Sequence, residues 1–199
     1  FYTRHAALAK DPAYSARNVT KKELVKFAKD FTVVYNKAWA GHGGLKQMDE
    51  KLVIGMFERM KPVMDEKIIW FGYFKEKPIA FFIMLPELNQ VVKHLGGNLN
   101  WWGKLKFFYH LKIKKSCTRM TGMLFGVTPE QQGKGIEGAI VIAAAKVIQP
   151  LKRYTDLEMN WIGDFNPKMI AVVESLGTVK LKTYRTYRLL FDSSKTFTR

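Results

Sequence analysis

The sequence predicts an α/β fold, a mixed central sheet flanked by helices, from three observations. A strand-like run, Gly122–Thr128, passes through Pro129 into Gly133 and Gly135, and an apolar helix follows at once from Ile136 to Gln149. Two β-branched and aromatic runs, Ile68–Phe74 and Ile79–Leu85, flank the charged turn Lys75-Glu76-Lys77 and read as a hairpin. Apolar residues recur at helical spacing ahead of that hairpin, at Leu24, Phe27, Phe31, Val34 and Tyr35. The expected order is ααββ(α)βαβαβ, an α/β sandwich around one core, and 199 residues at 47% hydrophobic composition suffice for it.

The elements follow in order. Residues 1–19 read as a turn-rich lead-in, 20–192 as the domain and 193–199 as a tail. Thr20 and Glu23 form a capping box for a first helix running to about Ala40. Gly41-His42-Gly43-Gly44 breaks it. Asp49 caps a second helix bearing Leu52, Val53, Met56, Phe57 and Met60, and Pro62 stops it. After the hairpin, residues 88–119 carry six lysines and Arg119 but no Asp or Glu. Trp101, Leu105, Phe108 and Leu111 fit one helical face, so a helix is expected over about 102–112, although 105–114 also alternates. Thr155–Ile162 is the next strand, with Asp156, Glu158 and Asn160 on its polar face. Asn166-Pro167 starts a helix that ends at Leu176-Gly177, and Val179–Phe191 offers one or two terminal strands.

Composition narrows the partners. A single cysteine, Cys117, excludes an intrachain disulfide framework and suits a reducing, cytoplasmic compartment. His5, His42, His94 and His110 are scattered, so no metal site is expected. No apolar run reaches the roughly 20 residues of a membrane span. The chain begins at Phe1, and an upstream part packing against this domain is expected. A net charge of +16 favours acidic partners: phosphate-bearing cofactors, nucleic acid or an anionic membrane surface. Specific nucleic-acid binding is not expected, because no zinc-finger spacing, RNA-recognition aromatic motif or arginine-rich arm occurs.

The glycine segment is an anion-site candidate, since a helix N-terminus exposes backbone N–H groups and a partial positive charge. It is not a Walker A loop: Gly133-Lys134 is followed by Gly135, and the residue five before Gly133 is Thr128. Gly133-Lys134-Gly135-Ile136-Glu137-Gly138 matches G-x-G-x-x-G by letter, but it lies past the middle of the chain instead of opening a series of βα units. A helix start with glycines only for tight packing remains an alternative.

With these words in these places, the chain resembles the Gcn5-related N-acetyltransferase (GNAT) superfamily. Gln132-Gly133-Lys134-Gly135-Ile136-Glu137 occupies the place of the pyrophosphate loop, [Q/R]-x-x-G-x-[G/A], and Asn166 through Leu176-Gly177 that of a later Asn…Leu-Gly unit. The phrases Tyr35-Asn36-Lys37-Ala38-Trp39, Pro86-Glu87-Leu88-Asn89-Gln90, Gly126-Val127-Thr128-Pro129 and Tyr184-Arg185-Thr186-Tyr187 are similar to the C-terminal part of a bacterial family of two-part, mostly uncharacterised GNAT-like proteins, over about residues 20–190. The resemblance implies acetyl-CoA or another acyl-CoA as cofactor. It implies binding by Gln132, Gly133, Lys134, Gly135, Ile136 and Asn166, and a carbonyl-polarising backbone N–H among Phe125, Gly126 and Val127. Two departures stand out. Glu137 replaces a small residue, and Val173 falls where many members carry the tyrosine that protonates the leaving thiolate.

Acyl transfer to an amine needs a base, and Glu158 is the first candidate, Glu87 the second. Tyr184 or Tyr187 could replace the missing acid. Each has a plainer role: a salt-bridged strand carboxylate, a turn residue, a packed tyrosine. The segment 93–119 could be an acceptor-site lid lined by Trp101 and Trp102, a membrane-interface element, or a helix packed on the sheet with its lysines in solvent. Three functions follow: an acyl-CoA-dependent N-acyltransferase acting on a small-molecule or peptide amine; a catalytically degenerate module binding an anionic partner or membrane; or one lobe of a two-lobed transferase using an aminoacyl-tRNA or long acyl-CoA donor.

Overall fold

The computed structural model describes residues 8–40, 45–187, 189–192 and 194–195. The glycine break at 41–44 lies outside them. The chain divides into two compact units, Phe1–Asn160 and Trp161–Arg199.

The first unit holds a five-stranded sheet in the order β1-β2-β3-β4-β5. The strands are β1 Tyr14–Asn18, β2 Ile69–Phe74, β3 Lys77–Pro86, β4 Arg119–Val127 and β5 Asp156–Met159. The first four run antiparallel to their neighbours, and β5 joins β4 in parallel. Helices α1 (Leu24–Ala38) and α2 (Glu50–Met60) pack on one face, α4 (Ile136–Ile148) on the other, and α3 is Trp101–Phe108. The hairpin strands read as nearly unbroken apolar runs because both their faces are covered. Phe71, Tyr73, Phe81 and Ile83 meet Phe27, Phe31 and Phe57, whereas Trp70, Ala80, Phe82 and Met84 meet Ile136, Ile140 and Ala144. Each fully buried side chain of this size stabilises by about 1.5–3 kcal/mol.

Several local expectations are corrected. Residues 14–18 are an edge strand, not lead-in, fastened by the Arg17–Glu76 ion pair at 2.6 Å. Thr20 and Glu23 do meet, through Thr20 Oγ1 donating to Glu23 Oε2 at 2.8 Å, but α1 begins only at Leu24 and no side chain caps it. Asp49 caps α2 as expected, accepting from Leu52 N at 3.1 Å. Strand β5 is shorter than the predicted 155–162 because β4 offers it ladder partners only over Arg119–Gly122.

Helix α3 falls where the aromatic periodicity puts it and widens into a π-turn over Tyr109–Ile113. Asn100 caps it, accepting from Gly103 N at 2.9 Å. Its inner side buries Gly103, His110 and Leu111, the last against Val91 and Cys117. The His110 ring stacks on His94 at 4.3 Å, and its Nδ1 lies 3.2 Å from Ser116 Oγ. Burial first, then His94, Lys114 and Lys106, hold His110 below its ordinary value of 6.5. As pH falls the unfolded chain therefore takes up this proton before the folded one does. His110 contributes stability above about pH 6.5, and that contribution is lost on acidification below it. The thermal midpoint is expected to drop between about pH 7.5 and 5.5, and His110→Gln to flatten that part of the profile.

At the start of β2 and β5 lies a polar knot. Asp65 Oδ2 accepts from Arg153 Nη1 at 2.7 Å and from Tyr154 Oη at 2.8 Å, while its Oδ1 accepts from Lys67 N at 3.1 Å. Burial first, then Asp65, pushes the Tyr154 phenol well above its usual range. A cavity of about 160 Å³ adjoins the knot, with Lys21, Lys112 and Arg153 facing Asp65 and Glu66.

In the second unit, α5 spans Pro167–Ser175, and Gly177 follows it at φ 77°. The terminal strands expected over 179–191 do not form among the described residues, since no ladder reaches them.

Candidate active site

Strand β4 delivers the chain to the glycine segment. Thr128 N–H donates to Ile79 O at 2.9 Å, and a tight turn over Pro129–Gln131 follows. Gln131 turns inward and accepts from Tyr14 Oη at 3.2 Å, which ties the loop to β1. Gln132 turns back and donates from Nε2 to Val127 O at 3.1 Å. Gly133 and Gly135 then take φ 76° and 85°, values that a side chain disfavours. The first bond of α4 is Ala139 N to Gly135 O, at 3.0 Å. Among the described residues, the N–H groups of 133–138 have no acceptor. A Cβ on Gly133 would meet nothing within 4 Å, and Lys134 is exposed. This row of donors beside an exposed ammonium fits a diphosphate.

Two acids border the loop. Glu137 is half-buried in the first turn of α4, and among the described residues it makes no ion pair with Lys134. Glu130 is held below its ordinary value of 4.5, first by its own backbone N–H and then by the Thr128 hydroxyl, against an opposing effect of burial.

Beyond Gly122 the two central strands part. Asn160 N–H donates to Gly122 O at 3.0 Å, and β5 ends there, while β4 continues to Val127. The β3–β4 register shifts at Ile83/Met84, leaving Met123 as an extra residue in β4. Because Thr128 N–H faces β3 and the ladder alternates, the N–H groups of Phe125 and Val127 face the edge that β5 has left. Gly126 N–H faces β3. A Cβ there would lie 2.8 Å from Phe81 Cζ and 2.9 Å from Trp39 Nε1, so Gly126 serves packing. Residues 123–127, at about 3.3 Å each, give an open edge roughly 16 Å long leading from the loop.

At the far end of that edge the two nominated carboxylates come together. Thr121 pairs with Glu158 across the parallel ladder and with Leu85 across the antiparallel one. Glu87 Oε2 accepts from Thr121 Oγ1 at 2.9 Å, and Glu158 Oε2 from Arg119 Nη1 at 2.8 Å. Arg119 Nε also donates to Asp156. A hydrogen bond from Thr155, then Arg119, holds Asp156 below the usual carboxylate range. Arg119 and Thr121 were not nominated from the sequence, because only the register brings them beside Glu158.

The remaining candidates belong to the second unit. Asn166 caps α5, its Oδ1 accepting from Met169 N at 3.1 Å. Tyr184 and Tyr187 lie in a segment without strand structure, and both side chains are exposed.

No protein-family model matches the chain. It is similar to the bacterial ceramide synthase of Caulobacter vibrioides, 26% identical over 159 residues, covering 78% of this chain and 41% of that protein. It is equally similar to Protein YghO of Escherichia coli, 26% identical over 168 residues, covering 81% of this chain and 43% of that one. The chain thus spans about two-fifths of the length of these relatives. Among solved structures it resembles the aminoglycoside N-acetyltransferase AAC(6')-Iy in complex with CoA, with a TM-score of 0.54 at 12% identity over 88% of this chain and 94% of that one.

Proposed function

We propose that this chain, which has the GNAT fold, is the acyl-CoA-binding part of an N-acyltransferase that joins an acetyl or longer acyl group to an amine. The observation that carries the proposal is the row of acceptor-free N–H groups at 133–138, opening onto the strand edge that β5 leaves. The N–H groups of Gly133 through Gly138 and the Lys134 ammonium would hold the diphosphate, with Gln132 bracing the loop against Val127. The arm carrying the thioester would run along the open edge of β4, where the N–H of Phe125 or Val127 polarises its carbonyl. Glu158, oriented by Arg119, would take the proton of the incoming ammonium, with Glu87 and Thr121 beside it. The amine then attacks the carbonyl carbon, the C–S bond breaks, and the proton that the nitrogen sheds on becoming an amide goes to the departing thiolate.

The amine acceptor we propose is a lipid, in keeping with the name of the ceramide synthase relative, since ceramide is an N-acylated lipid. The greater length of both relatives supports a further part of the protein packing against this domain. Calorimetry with acetyl-CoA and with long-chain acyl-CoA tests the reading. Micromolar binding is expected, and no heat at millimolar ligand would overturn it. The acids Glu130 and Glu137 beside the loop support a second reading, a degenerate module without turnover, and acyl-dependent release of free CoA would exclude that one.

A further inference from the structure

Helix α3 turns an apolar side to solvent. Gly103, Phe107, His110 and Leu111 form its inner side. At about 100° per residue, Trp101, Leu105, Phe108 and Tyr109 fall opposite them. Trp102 is 73% exposed and Ile113, on the π-turn, 72%. Trp101 and Trp102 pack edge to face at 5.0 Å, making one aromatic projection. Lys104 and Lys106 flank this strip on either side, both exposed. Across residues 88–119 there are six lysines and one arginine and no carboxylate side chain at all.

We propose that the outer face of α3 and its π-turn docks on an anionic lipid bilayer, aromatic rings in the interface and lysines reaching the headgroups. An apolar strip edged by cations matches that boundary. A second copy of this chain is a poor occupant, since a two-fold contact would set the exposed lysines of this face, Lys104 and Lys106, against themselves. Nucleic acid would engage the cations but leave Leu105 and Ile113 exposed to water. The proposal does not depend on the acyl-CoA reading, because the docking surface is measured without CoA.

The test is co-sedimentation of the chain with vesicles of phosphatidylcholine containing increasing phosphatidylglycerol. Binding is expected to rise with the anionic fraction, to weaken in high salt and to blue-shift tryptophan emission. The paired substitution Trp101→Ala/Trp102→Ala is expected to lower partitioning at least tenfold. Lys104→Gln and Lys106→Gln are expected to lower it about fivefold each. All four side chains are exposed, so an unchanged circular-dichroism spectrum is expected for the variants. Equal binding to purely zwitterionic vesicles, undiminished binding by the variants, or no binding at all would each overturn the proposal. So would binding to a single-stranded oligonucleotide that vesicles do not displace, or concentration-dependent dimerisation that Trp102→Ala abolishes.

Discussion

Replacing Gly133 and Gly135 together by alanine is expected to weaken acyl-CoA binding by about a hundredfold while leaving the sheet intact. Both residues sit at positive φ, 76° and 85°, where a side chain costs about 1–2 kcal/mol each. A Cβ on Gly133 would enter open space, so the strain would come from the backbone and not from a clash. The loop is expected to relieve that strain by changing its backbone path, which would displace the N–H groups of 133–138. Either single change is expected to cost about tenfold. Calorimetry measures the affinity, and a urea titration on the same samples reports the sheet. Full-strength binding by the double variant would mean that the diphosphate lies elsewhere. Lys134→Ala is expected to have a smaller effect, since its exposed ammonium works against solvent screening.

Asp65→Ala is expected to cost about 3 kcal/mol of folding stability, the largest effect anticipated for a single polar residue. Asp65 receives three bonds, from Lys67, Arg153 and Tyr154, and both ends of its ion pair are largely shielded from water, at 16% and 23% exposed. Removing it strands the Arg153 guanidinium, whose Nε already lacks a partner among the described residues. Asp65→Ala/Arg153→Met removes both charges and is expected to recover a substantial part of the loss. Urea titration of the three proteins decides the matter. A loss below about 1 kcal/mol for Asp65→Ala would mark the knot as an ordinary surface pair.

Local chemistry in the sequence marks most of the elements. Asp49, Asn100 and Asn166 each begin their helix with a side-chain bond, and residue type and spacing predict the first and third of these. The hairpin and the strand–loop–helix at 119–148 fall where hydrophobic runs and glycines put them. What stayed hidden depends on pairing. Residues 14–18 become a strand only because β2 offers an edge, and the described residues of 179–191 form no strand because they have no ladder partner. In the candidate site, the loop and Glu158 were visible as residue types in telling places. The meeting of Glu87, Thr121, Arg119 and Glu158 follows from two registers fixed by packing around β4, and the extra residue Met123 has no signature of its own.

The bond from Gln132 to the Val127 carbonyl has a consequence for aggregation. A half-open sheet ordinarily invites a stray strand to zip alongside, which needs N–H and carbonyl groups presented in alternation. Here the last carbonyl is already occupied by an amide side chain standing in the invader's path. An extended peptide would be stopped beyond Phe125, whereas a slender ligand needing only the N–H groups would pass. The glutamine is therefore expected to hinder strand addition at this edge as well as to brace the loop.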